Sequence, residues 1–172
     1  MKHVALLRGI NVGGYNKVAM KYLAALFVTA GCLDVATYIQ SGNVIFTASA
    51  ASLKKLPAAV SNALNVPVVI RSHEQLAAAA SRNPYLAEGV DPKSLHLMFL
   101  AGLPSPAAAA ALDPDRSPPC RFHVHGQDIY LHLPHGVAKT KITNAWIDSK
   151  LSTVSTMRNW NTVLKLVELT RA

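Results

Sequence analysis

The residues best suited to chemistry open the chain. Arg8-Gly9-Ile10-Asn11-Val12-Gly13-Gly14-Tyr15-Asn16-Lys17 places Gly9, Gly13 and Gly14 between two cations, Arg8 and Lys17. Glycine lets a backbone approach a ligand closely, and unpaired N–H groups at a helix start favour an anion. A bare turn needs only a positive φ, and this segment carries more than that. It is not a P-loop: Gly9 and Gly14 have the spacing, but Tyr15 stands where Lys is required. The G-x-G spacing of a dinucleotide fingerprint is absent too, so no cofactor is expected. The chemistry that remains is capture of a phosphate or carboxylate.

A second polar segment, Gln40-Ser41-Gly42-Asn43, lies about thirty residues on. Taken alone it is a hairpin turn. A third, Thr156-Met157-Arg158-Asn159-Trp160-Asn161-Thr162, is read as the head of the last helix, capped by Thr156 or Asn159. Arg158 would then sit at the positive end of a helix dipole and gain nothing from it, unless it faces an anion or a carboxylate. Arg158, Asn159 and Trp160 are therefore added to the candidate site.

Other chemistries fit less well. A two-residue turn at Gly126-Gln127 would pair His125 with Asp128, His123 with Tyr130, and Arg121 with His132, all on one hairpin face. Two His and one Asp suit a metal. An alternating strand needs a solvent face, however, so His123, His125 and His132 are read as surface and no metal is expected. No G-x-S-x-G elbow occurs, and Cys32 lies in an apolar stretch. The nine carboxylates include no evident acid/base pair. No reaction is assigned.

These residues must be held by elements, and punctuation defines them. His3–Leu7 reads as a strand and Val18–Ala30 as a helix closed by Gly31. Strands follow at Val35–Ile39 and Val44–Thr47, then a helix within Ser52–Leu64 whose start Pro57 obscures, then a strand at Pro67–Ile70. This is the β-α-β-β-α-β order of a ferredoxin-like half, residues 1–71, with an antiparallel sheet. Residues 72–94 hold a connecting helix, Ser72–Ser81, and a linker. Residues 95–172 form a second α+β half, β-α-β-β-α with a closing C-terminal helix. Its strands are Leu95–Leu100, Arg121–Val124 and Asp128–Leu133. Its helices are Pro106–Leu112, Lys139–Lys150 and Asn159–Thr170. The fold class is α+β, built from two related halves.

Topology then reweights the site. In a sheet ordered 4-1-3-2, strands one and two run the same way, so the loops that follow them share one end. Arg8, Asn11, Lys17, Gln40, Ser41 and Asn43 should converge there, between two cations.

Composition sets the outer limits. The chain has 172 residues, 51% hydrophobic and 15% charged, which excludes intrinsic disorder. Its longest strongly apolar stretch, Tyr22–Leu33, is far short of the roughly 18–20 residues of a membrane span, so no membrane partner is expected. Two cysteines far apart predict neither a disulfide framework nor a zinc knuckle, and a cytoplasmic location is the default. The net charge of +8 suits an anionic partner, but no like-charge block exceeds Lys54-Lys55. Three readings follow. One is a binding module, or an enzyme, for a small anionic or phosphorylated ligand. The second is nucleic-acid binding through distributed charge, and the third is a protein-interaction domain without a ligand.

Three segments carry a resemblance. Leu6-Leu7-Arg8-Gly9-Ile10-Asn11-Val12-Gly13-Gly14, Thr37-Tyr38-Ile39-Gln40-Ser41-Gly42-Asn43-Val44 and Thr156-Met157-Arg158-Asn159-Trp160-Asn161-Thr162-Val163 resemble the signatures of the bacterial family Domain of Unknown Function 1697. The resemblance implies a two-part α+β fold with a ferredoxin-like half, and no established activity. It adds weight to Arg8, Asn11, Gly13, Gly14, Gln40, Ser41, Gly42, Asn43, Arg158, Asn159 and Trp160. One departure stands out: Ala138-Lys139 replaces a Ser-Lys pair of the family, so no hydroxyl-dependent role is expected there.

Overall fold

The computed structural model describes residues 1–172. The chain divides into two compact units, Met1–Ala77 with Leu166–Ala172, and Ala78–Lys165.

The first unit contains β1 (Lys2–Leu7), α1 (Met20–Thr29), β2 (Leu33–Tyr38), β3 (Asn43–Thr47), α2 (Ala50–Leu64) and β4 (Val68–Ser72). The strands form one antiparallel sheet in the order β2-β3-β1-β4, so β1 and β2 run the same way, as the sequence predicts. Alternate strand residues Ala5, Leu7, Val44 and Phe46 pack with Leu23 and Phe27 of α1 and Leu56 and Val60 of α2. Val4, Leu6 and Ile45 on the opposite face are buried as well. That two-sided burial explains why β1 and β3 read as unbroken apolar runs rather than alternating ones.

Two helix starts differ from expectation. The Val18 N–H donates to the Asn11 side chain, which holds residue 18 outside the helix, and α1 begins at Met20. Helix α2 begins at Ala50, capped by Ser49 Oγ accepting from the Ser52 N–H, and continues through Pro57. Proline removes one internal N–H there. Buried Leu56 and Val60 on either side of it anchor the helix against the sheet.

Helix α3 (His73–Ser81) opens with a reciprocal cap. Ser72 Oγ accepts from the Gln75 N–H, and Gln75 Oε1 accepts from the Ser72 N–H. There follow β5 (Leu95–Leu100), α4 (Pro106–Ala110), β6 (Arg121–His125), β7 (Asp128–His132), α5 (Asn144–Leu151), β8 (Ser155–Asn159) and α6 (Trp160–Thr170). The sheet order is β6-β7-β5-β8, antiparallel throughout. Met98, Leu100, Ile129 and Leu131 pack with Ile142, Ile147 and Leu151 on one of its faces.

Strand β8 corrects the sequence reading, which placed residues 156–158 at a helix head. Ser155–Asn159 pairs with β5 along its length, from Leu100↔Ser155 to His96↔Asn159. The second half is therefore also β-α-β-β-α-β, followed by α6. The helix expected over Lys139–Lys150 shortens to α5, because Thr143 Oγ1 accepts from the Trp146 N–H and starts the helix there.

Candidate functional site

The glycine segment folds into a small hairpin rather than a helix-capping cradle. Gly13 and Gly14 have φ of 55° and 81°, positive as a type I′ turn demands. The Tyr15 N–H donates to the Val12 carbonyl at 2.9 Å, and the Asn11 N–H to the Asn16 carbonyl at 3.1 Å. Asn16 closes the base by donating to the Gly9 carbonyl at 2.8 Å.

Asn11 joins this hairpin to its surroundings. Its Nδ2 donates to the carbonyls of Val18 at 3.1 Å and Gln40 at 2.8 Å, and its Oδ1 accepts from the Val18 N–H at 2.9 Å. The two loops predicted to share a sheet end do meet, and Asn11 fastens them. Gly42 completes the junction. Its carbonyl accepts from the Leu7 N–H at 2.9 Å. A Cβ on Gly42 would fall 2.8 Å from Ile10 Cδ1 and 2.9 Å from Leu7 Cβ, so only glycine fits.

Where the loops meet there is a groove of about 500 Å³, lined by Asn11, Gly14, Lys17, Val18, Ala19 and Gln40. Ala19 is the N-cap of α1 and supplies no side-chain cap, and the helix has no acidic residue in its first turn. The positive end of the dipole and its uncapped N–H groups therefore open beside Lys17. Residues 1–70 carry Lys2, Arg8, Lys17, Lys21, Lys54 and Lys55 against a single acid, Asp34, and of these Lys17 lines the groove.

The remaining candidates are placed differently. Asn43 is buried, and its Nδ2 donates to the Tyr38 carbonyl and to Ser41 Oγ, both at 3.0 Å, so it braces the turn from inside. Gly13 forms the hairpin tip, and the half-buried Arg8 donates its backbone N–H to the Pro67 carbonyl. Arg158 belongs to β8. Its Nη1 donates to Thr156 Oγ1 at 2.8 Å and to the Met157 carbonyl at 2.9 Å, and burial lowers its pKa to about 10. Asn159 caps α6, its Oδ1 accepting from the Thr162 N–H at 2.9 Å. Asn159 and the buried Trp160 line a separate cavity of about 410 Å³ within the second unit, together with Pro92, Lys93, His96 and Val137. Burial lowers the pKa of His96, partly offset by the nearby Ser94 carbonyl.

The β6–β7 hairpin has the predicted register, His125↔Asp128, His123↔Tyr130 and Arg121↔His132. Its shared face is not solvent throughout, because Tyr130 and Asp128 are buried. Tyr130 donates to the Ala79 carbonyl at 2.6 Å, and burial pushes its pKa up to about 12. Arg121 forms a two-pronged pair with Glu88 and lies over the Tyr85 ring at 4.8 Å. These contacts hold the end of β6, and no three His, Cys, Asp or Glu residues are grouped to hold a metal.

The sequence did not single out Ala19, Lys93 or His96. The first has no chemical signature. Its signal is the lack of a capping residue at a helix start. No helix is long and apolar enough to cross a membrane.

The fold and its loop-end groove define a class: a paired α+β protein built from two β-α-β-β-α-β units. The family described as protein of unknown function DUF1697 matches residues 1–130, and the chain belongs to it. The fold is similar to that of the conserved bacterial protein SP0830 from Streptococcus pneumoniae. The TM-score is 0.69 at 23% identity, over 99% of this chain and 98% of that one. No curated protein matches the sequence.

Proposed function

We propose that the chain is a binding module for a small anionic or phosphorylated ligand, held in the groove between the Gly13-Gly14 hairpin and the Gln40–Gly42 turn. One observation carries the reading: the uncapped N-terminus of α1 opens into a groove that Lys17 also lines. Backbone N–H groups, a helix dipole and a lysine converge there, and none of the lining residues is an acid. The test is thermal stabilisation by inorganic phosphate and a panel of phosphate esters. A ligand at about 100 times its Kd adds roughly 2.7 kcal/mol. Lys17→Ala should change the unliganded stability by less than about 0.5 kcal/mol, because the side chain is exposed, yet remove the stabilisation. Stabilisation that survives Lys17→Ala, or that no phosphate compound produces, refutes the reading.

Nucleic-acid binding is the second reading, favoured by the six cations against one acid in residues 1–70. It predicts binding that weakens steeply with salt, with a slope set by the number of phosphates neutralised.

A further inference from the structure

The segment Asn159-Trp160-Asn161 takes no part in the groove of the first unit. It lines the cavity of about 410 Å³ in the second unit instead. Pro92 and Lys93 before β5, His96 within it, and Val137 after β7 supply most of the remaining wall. The volume lies within the ~300–1,000 Å³ range of small-molecule sites.

The polar groups of this cavity are only partly used by the fold. Asn159 Oδ1 is taken by the Thr162 N–H, which leaves its Nδ2 to donate elsewhere. Asn161 and Lys93 are exposed, and no acid lines the cavity. Asp91, two residues before Lys93, accepts from the Lys93 backbone N–H. His96 is the half-buried member. Its Nδ1 is enclosed and has no hydrogen-bond partner, so Nε2 is the ring nitrogen left for a ligand. Burial lowers the pKa of His96, which keeps the ring neutral near pH 7 and leaves Lys93 as the single charge in the lining. Pro92, Val137 and Trp160 make the rest of the wall apolar.

Three donors and one positive charge beside an apolar wall suit acceptor oxygens that share one negative charge and are joined to an apolar body. A phosphate ester carries close to two charges at pH 7 and would call for a second cation. We propose that this cavity binds a small monocarboxylate with an apolar body, its carboxylate on Lys93 and the Asn159 and Asn161 amides, and its body against Pro92, Val137 and Trp160. This site is separate from the groove of the first unit and does not rest on the anion reading of that groove.

The experiment is calorimetric titration of wild type, Lys93→Met and Lys17→Ala with phenylacetate, 4-methylpentanoate, 2-phenylethanol, acetate and phenyl phosphate. Wild type should bind phenylacetate or 4-methylpentanoate at least about ten-fold tighter than neutral 2-phenylethanol, the lower end of what a charge-assisted hydrogen bond contributes. Acetate, which lacks the apolar body, should bind at least about ten-fold more weakly as well. Lys93→Met should bring phenylacetate down to the level of 2-phenylethanol and leave 2-phenylethanol unchanged. Lys93 is exposed, so the variant keeps its fold. Lys17→Ala should leave all of these affinities as they are. Failure of both carboxylates to bind, or binding that Lys93→Met does not weaken, overturns the assignment. Carboxylate binding lost in Lys17→Ala but not in Lys93→Met moves the ligand to the groove and overturns it too. Acetate binding as tightly as phenylacetate removes the apolar body, and tighter binding of phenyl phosphate removes the monocarboxylate.

Discussion

Gly42→Ala tests whether the two loops are locked together as the structure describes. The residue has a φ of 89°, and an L side chain there costs about 1–2 kcal/mol in backbone strain. The new methyl would stand 2.8 Å from Ile10 Cδ1 and 2.9 Å from Leu7 Cβ. Ile10 is fully buried, and Leu7 Cβ is fixed to a central strand, so neither atom can swing aside. Overpacking of this kind adds about 1–3 kcal/mol. The sum is about 2–5 kcal/mol, and relief by moving the turn would break the Leu7 N–H bond to the Gly42 carbonyl. Gly14→Ala is the internal control. It shares a positive φ of 81°, but a Cβ there meets nothing within 4 Å, so only the backbone strain of about 1–2 kcal/mol applies. Urea denaturation of both variants with unchanged m-values isolates the steric part. In thermal melts, a difference of about 2 kcal/mol corresponds to roughly 4–8 °C for a chain of this size. Equal losses for Gly42→Ala and Gly14→Ala would show that the turn does not press on Leu7 and Ile10, and the groove as drawn would be wrong.

Two further outcomes follow from buried groups. Tyr130→Phe removes the donor to the buried Ala79 carbonyl, and should lower stability by about 1–3 kcal/mol in chemical denaturation; a change under about 0.5 kcal/mol would mean that the bond is not made. His96 has a lowered pKa in the folded state. Below its ordinary value near 6.5 the unfolded chain takes up a proton that the folded chain refuses, so stability falls as pH drops from about 7 toward 5. His3 and His132 are lowered as well, so His96→Gln should make that acid limb shallower without abolishing it in pH-dependent melts, and an unchanged limb would place the proton uptake at those two.

What could be read from the chain alone was whatever is encoded within about ten residues. The two-residue turn Gly126-Gln127 fixes the β6–β7 register, because a hairpin pairs outward from its turn. Ser72 marks the start of the connecting helix, and the structure adds Gln75 as the second half of its cap. The apolar runs Val4–Leu7 and Val44–Phe46 read as strands, and a ferredoxin-like sheet order then brings the loops after β1 and β2 to one end of the sheet.

Tertiary structure decided the rest, for reasons that are physical. Ser155–Asn159 has no β-branched run and little apolar content, and it becomes a strand only because β5 offers it a hydrogen-bonding edge. Arg158 consequently lies in a buried strand, not at a helix dipole. Asn11 and Asn43 were legible as polar residues near a ligand site, but an amide can bind a ligand or brace a loop. Only the positions of the Val18, Gln40 and Tyr38 carbonyls show that both are engaged in bracing. Ala19 carries no chemical mark at all. It matters because α1 starts there without a cap and opens into the groove, a fact of backbone direction that residue types do not record.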